Sequence, residues 1–132
     1  MADYTVKKVD EMDAIFFNAF KRAGDELEVA SFGMNIIDFP PDAGEQYPEH
    51  DHAHDGQEEV YLVMRGSGRI VIEGGEEHPL DGDTIVRVGS GTTRKVWAGS
   101  DGMRLVIVGG VPGGTYERPD VSRVGQPDPA AA

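Results

Sequence analysis

Three of the four histidines in this chain stand at every second position, as His50, His52 and His54 in the stretch PEHDHAHDGQEEVYLVMRG. An imidazole can lend a neutral nitrogen to a divalent ion, pass a proton near neutral pH, or sit solvated on a surface. The spacing bears on the choice. On an extended segment residues i, i+2 and i+4 project from one face, so the three rings would point together. Two such imidazoles can share a divalent ion, and a carboxylate from the next strand would complete the set. Asp55 and Gly56 favour a turn directly after His54, which returns the chain and sets Glu58 or Glu59 opposite the histidines. If Glu59 faces inward, Tyr61 and Val63 share its face, while Val60, Leu62 and Met64 face a second apolar layer. The alternate register turns Glu58 inward instead.

Other candidates carry less chemistry. Tyr61, beside Glu59, is an acid or hydrogen-bond donor in one reading and a plain barrel aromatic in the other. His78, in GGEEHPL, belongs to an exposed hairpin, and Trp97 reads as core. GSGR and GGVPGG are turn sequences, because no strand-loop-helix context makes them phosphate loops. There is no Gly-x-Ser-x-Gly elbow. The absence of cysteine excludes disulfides, thiolate catalysis and Cys-ligated zinc. A net charge of -12 argues against nucleic acid and anionic membranes as partners. The acidic run Asp42, Glu45, Glu49, Asp51 and Asp55 is a solvated face that concentrates cations nearby. With neither a membrane-length apolar run nor a secretory leader, the expectation is a soluble, cytoplasmic protein.

The elements that must position these residues are mostly strands. One helix is expected over EMDAIFFNAFKRAG, with Asp10 as N-cap, Lys21 and Arg22 in the last turn and Gly24 as the stop. Met12, Ile15, Phe16, Ala19 and Phe20 would form its apolar face, packed on the core or on another subunit. Beyond Gly24 the period changes to two. EVASFGMNIIDF, EEVYLVMR ending at Gly66, the hairpin GRIVIEGGEEHPL with Gly74 and Gly75 at its tip, DTIVRV, RKVWA and MRLVIVGG read as short strands with turns between them. At 132 residues one domain is expected: residues 1–25 as an extension carrying the helix, 26–115 as a single β-sandwich or β-barrel, and 116–132 as a loose tail.

The central motif resembles the cupin superfamily, whose first signature is a glycine, five residues, His-x-His, three or four residues, Glu, six residues and Gly. His52-x-His54, four residues, Glu59, six residues and Gly66 match its core. Seven residues separate Gly44 from His52, and Gly44 stands at the signature's spacing from His50 instead. The fit of the Glu and the final Gly selects His52 and His54, leaving His50 at the rim or as a replacement ligand. The second signature is a glycine, five residues, Pro-x-Gly, two residues, His, three residues and Asn. From Gly82 to Ala98 it is followed with one extra residue after Gly82. Gly89 stands for the proline, Ala98 for the asparagine, and Arg94 for the last metal-binding histidine.

The resemblance implies an all-β jelly-roll barrel, or double-stranded β-helix, in a homodimer. It also implies a divalent transition metal (Fe, Mn, Ni, Zn or Cu) held by His52, His54 and Glu59. Arginine cannot ligate. Arg94 either holds an anionic substrate beside the metal or pairs with Glu59 in place of a lost metal. With Arg94 and Tyr61 facing a small-molecule substrate, the function implied is an oxygenase, isomerase or lyase acting on a small organic acid or sugar. The alternative is a binding or sensing module without turnover, with or without metal.

Overall fold

Alternating apolar residues build one antiparallel sheet of seven strands: β1 (Ala14–Ile15), β2 (Phe20–Lys21), β3 (Gly33–Phe39), β4 (Glu58–Ile72), β5 (Glu76–Leu80), β6 (Val86–Val88) and β7 (Arg94–Gly110). The strand order is β1-β2-β3-β7-β4-β5, and β6 also pairs with β4. The structure is a computed structural model and describes residues 1–131. RKVWA and MRLVIVGG are a single strand, β7, which pairs with β4 along nearly its whole length. EEVYLVMR does not end at Gly66: β4 continues to Ile72 through register shifts at Val63/Arg65 and Gly66/Gly68. Gly66 makes that bend possible, with φ of 75° and an approach to Gly102 O so close that a Cβ would lie 2.2 Å from it. The hairpin of β4 and β5 turns at Gly74 and Gly75, as the sequence suggests.

The two faces of the sheet bury different sets, as a period of two requires. Ile37, Phe39, Tyr61, Ile70, Leu80, Val88, Val96, Met103, Leu105 and Ile107 fill the interior. Ile36 and Val106 face the other way and pack with Met12 and Ala23, with Leu62 beside them. Glu59 and Tyr61 are thus both buried residues of the inward face of β4.

The helix expected over residues 11–24 does not form there. A three-residue 3-10 turn, Val9–Glu11, leads into the β1–β2 hairpin, and the one α-helix among the described residues, α1, is only Ala23–Glu26. Phe16, Phe17 and Asn18 turn with φ of 52°, 61° and 64°, a conformation no right-handed helix contains. Tertiary pairing explains why. The residues that read as helix-end charges each have a partner in the barrel or the C-terminal segment. Asp10 binds Arg104, Lys21 Nζ donates to Asp38 Oδ2 at 2.6 Å, and Arg22 Nε donates to Val121 O at 2.8 Å. The apolar stripe is split in the same way. Met12 goes to the outer face of the sheet, while Phe16, Phe17 and Phe20 line a cavity.

The segment expected as a loose tail packs against this hairpin. Arg22, 1% exposed, also donates to Gln126 O at 2.9 Å, Arg118 binds Val29 O, and Phe16 N donates to Asp128 Oδ1 at 3.1 Å. Buried arginine donors satisfied by backbone carbonyls hold a segment that has no secondary structure of its own beyond a 3-10 turn, Asp120–Ser122.

A charged cluster on the outer face joins the N-terminal segment to β3 and β7. Burial pushes the Asp38 carboxyl up, but hydrogen bonds from Arg104 and Lys21 outweigh it and hold it below its ordinary 3.8. Because the folded value is depressed, the stability Asp38 contributes is complete above about pH 4 and is lost as pH falls through the lower folded value. Asp38→Asn should cost about 2 kcal/mol at neutral pH, since it leaves two buried cations with a weaker acceptor. Urea denaturation of both proteins at pH 7 and pH 3 should show the gap closing in acid; a gap of constant size would contradict the assignment.

Candidate functional site

The loop from Ala43 to His52 is stapled along β7 and the turn before it. Ala98 N donates to Ala43 O at 2.8 Å, Lys95 Nζ reaches Gly44 O and Tyr47 O, His50 and Arg94 exchange backbone hydrogen bonds at 3.0 and 2.9 Å, and His52 N donates to Ser90 O at 2.7 Å. Gly44 lies under Trp97, where a Cβ would meet the ring at 2.6 Å. The loop is therefore fixed at its start by a residue without a side chain, and His50 and His52 follow in extended register. After His52 the chain turns: Asp55 N and Gly56 N both donate to His52 O.

That turn separates the three histidines. His50, His52 and Glu59 each offer a ligand atom within 4.8 Å of the others. His54 lies outside this group, with its side chain 74% exposed and its Nε2 3.4 Å from Asp55 Oδ2; with His52 and Asp55 it forms a second, more exposed cluster. The expected sharing of one site by His52, His54 and Glu59 does not match these positions, because alternation fails where the turn begins. The signal that pointed elsewhere was Gly44, at the signature's spacing from His50. The spacing to Glu59 selects His54, but the turn after His52 carries the His54 ring away from Glu59.

Both inner histidines are oriented from behind. His50 Nδ1 lies 3.0 Å from Pro48 O, and His52 Nδ1 lies 3.1 Å from Asp55 Oδ1. Carbonyl and carboxylate oxygens only accept, so Nδ1 carries a proton in both rings; His50 Nε2 is left for the site, while His52 Nε2 also donates, to Glu59, and would have to give up that proton to ligate. Carboxylates and carbonyls orient metal-binding histidines in this way. His52 Nε2 lies 3.1 Å from Glu59 Oε1, and Tyr61 OH donates to the same oxygen at 2.9 Å. The hydrogen bond to Glu59 is the main reason His52 holds its proton more tightly than usual. Burial lowers the proton affinity of His50. Burial pushes Glu59 up, but the hydrogen bond from His52 and the nearby positive charge leave it below the ordinary carboxylate value. Tyr61 and Tyr47 are pushed upward by burial and stay protonated.

Arg94 lies behind the carboxylate. It is fully buried, its Nη2 donates to Gly89 O at 2.8 Å, and its Nη1 lies 3.5 Å from Glu59 Oε1. Nε and Nη1 have no hydrogen-bond partner, so the charge of Glu59 is the main compensation this guanidinium has. In front of Glu59 opens a cavity of about 610 Å³, lined by His50, His52 and Glu59 at one end and mainly by apolar side chains elsewhere. Neither Arg94 nor Tyr61 lines it, so the contact with a substrate expected of both is not offered by this arrangement. The sequence reading missed Phe16, Phe20, Tyr47 and Tyr116 as cavity residues. His78 is exposed and pairs with Glu76 at 2.8 Å, while Trp97 stacks under Lys95, away from the cavity wall.

The donor set fits a divalent transition metal: two imidazole nitrogens and a carboxylate, with outer acceptors on both rings. No family model matches the sequence, and no curated protein does. Solved structures do. A cupin protein from Bacteroides fragilis superposes with a TM-score of 0.68 at 22% identity, over 90% of this chain and 93% of that one. An RmlC-like cupin from Desulfovibrio desulfuricans gives 0.53 at 20%, over 61% and 73%. A structure described as a sugar phosphate isomerase of the cupin superfamily, from Silicibacter pomeroyi, gives 0.56 at 20%, over 74% and 59%. At these identities the likeness establishes the fold, a cupin β-barrel.

Proposed function

We propose that this cupin-fold chain holds one divalent transition metal with His50, His52 and Glu59 and acts on a small molecule in the adjoining cavity. The observation that carries the reading is the pair of Nδ1 anchors, Pro48 O and Asp55, which turn both Nε2 atoms toward a buried carboxylate, His52 Nε2 lying 3.1 Å from it. A bound metal would supply Lewis acidity, polarising a substrate oxygen, or a redox centre if it is iron or copper. The chain's own residues do the rest. Asp55 and Pro48 fix the rings, Tyr61 and Arg94 hold Glu59 as an oriented anion, and the apolar wall excludes water. Isomerase, lyase or oxygenase chemistry is compatible with such a site. A homodimer belongs to the same proposal, with exposed Tyr4, Val6 and Ile85 as apolar surface for a second copy to cover.

One observation favours a second reading, a metal-free binding module: Arg94 already neutralises Glu59. Metal content by plasma mass spectrometry decides between them, on tag-free protein reconstituted in turn with iron, manganese, nickel, zinc and copper. Near one equivalent of a single metal is expected. None with any of the five leaves the binding module.

Among the described residues no helix is long and apolar enough to cross a membrane.

A further inference from the structure

The cavity wall narrows the class of ligand, and this inference deepens the proposal above by taking the same cavity as the binding site. Its volume, about 610 Å³, suits a drug-sized molecule. No lysine or arginine lines it, and Glu59 is its one carboxylate. Arg94, the cation that a sequence reading would offer to an anion, is sealed behind Glu59 with no exposed surface. Outside, Asp42, Glu45 and Glu49 are exposed on the loop that forms one wall, in a chain of net charge -12. A phosphorylated or multiply charged substrate would meet repulsion at the mouth, and inside its one counter-charge would be a bound metal already partly balanced by Glu59, with no lysine or arginine beside it.

The remaining wall is aromatic and aliphatic. Phe16, Phe17 and Phe20 come from the β1–β2 hairpin, Ile37 and Phe39 from β3, and Tyr116 from the C-terminal segment. Two glycines in register with Glu59 let side chains lie close on the sheet beside the metal-ligand cluster: Gly33 pairs with Gly109, and Gly109 with Glu59. A Cβ on Gly33 would lie 2.9 Å from the Tyr116 hydroxyl, so the tyrosine ring lies flush on the strand. Away from the metal-ligand cluster the polar wall groups are Asn35, Gln46, Gln57, Ser122 and the hydroxyls of Tyr47 and Tyr116, scattered among a mostly apolar lining.

We infer that the ligand is an uncharged, largely apolar molecule with a ring-sized body held by Phe16, Phe20, Phe39 and Tyr116, and a single oxygen-bearing end turned toward His50, His52 and Glu59. Sugar phosphates are excluded from this class. The N-terminal hairpin and the C-terminal segment, joined through Arg22 and Asp128, determine the specificity, because they supply much of its apolar wall.

The test uses the full chain after metal removal by chelation, so that failure to bind metal does not decide it. Titration with the neutral probe N-phenyl-1-naphthylamine should give a saturable fluorescence rise. Ala19→Trp, which fills the cavity, and Phe17→Asp, which puts a charge on its exposed rim, should each weaken the probe about tenfold or more. Both variants should keep the parent's circular dichroism spectrum. Glucose 6-phosphate should not displace the probe, whether or not metal is restored. Displacement by the sugar phosphate, no saturable binding, or equal binding by parent and both folded variants would each overturn the inference. A metal-free result in the preceding experiment, with the probe behaving as described, would remove the metal and leave the ligand class standing.

Discussion

His50→Ala should lose the metal, and His54→Ala should keep it. With a single preferred metal identified by reconstitution, affinity in His50→Ala and His52→Ala should fall by at least about 100-fold, because even an outer partner of a ligating histidine is worth about 10–100-fold. Asp55→Asn should fall in that outer range, since it weakens the acceptor that holds His52 Nδ1. His54→Ala should match the parent, for its ring is solvated and faces Asp55 rather than Glu59. Competition against a fluorescent chelator measures all four. The discriminating comparison is His50 against His54: retention by His50→Ala with loss in His54→Ala would restore the pair suggested by the spacing to Glu59.

The second large effect concerns Arg94. Replacing it with methionine keeps much of the volume but leaves Glu59 as a buried carboxylate whose remaining partners are His52 and Tyr61. Removing one member of a buried ion pair costs about 3–5 kcal/mol, which for a domain of this size lowers the melting temperature by on the order of 10–20 °C. The same variant separates the two functional readings. If His50, His52 and Glu59 bind a metal, the ion replaces the lost positive charge, and saturating metal should recover a large part of the loss through binding to the folded state alone. If the site is metal-free, the melting temperature of Arg94→Met should not respond to added metal. A melt of Arg94→Met no lower than the parent's would show that the Arg94 to Glu59 contact carries no stability.

The fold was legible because a barrel advertises itself locally. Strand period and glycine-marked turns depend on neighbours a few residues away, and β3 and the β4–β5 hairpin follow from them; alternation puts Glu59 and Tyr61 on one face of β4, but that this face and not that of Glu58 turns inward followed from the resemblance and is decided by packing. The N-terminal segment was not legible for the opposite reason. Its apolar spacing suits a helix, but the helix-end charges Asp10, Lys21 and Arg22 are taken by Arg104, Asp38 and Val121, each far away in sequence. Long-range pairs of that kind leave no periodic trace, and they outweigh propensities of a few tenths of a kcal/mol per residue.

The candidate site divides along the same line. Residue types and spacing were enough to single out a histidine cluster and a partner carboxylate on the following strand, and the cupin resemblance set Arg94 where a ligand would stand. Which two histidines meet Glu59 depended on a turn that hydrogen-bonds back to His52 O, and the tautomers depended on Pro48 O and Asp55. Whether Arg94 faces a ligand or backs a carboxylate, and whether the last residues are a tail or a wall, are questions of distance between parts of the chain up to about a hundred residues apart. Local sequence sets the strands and their faces, because side-chain alternation is a property of the strand itself. The cavity, its neutral lining and the closing of its wall by the two ends of the chain arise only when those strands have packed, because each needs surfaces that no single segment possesses.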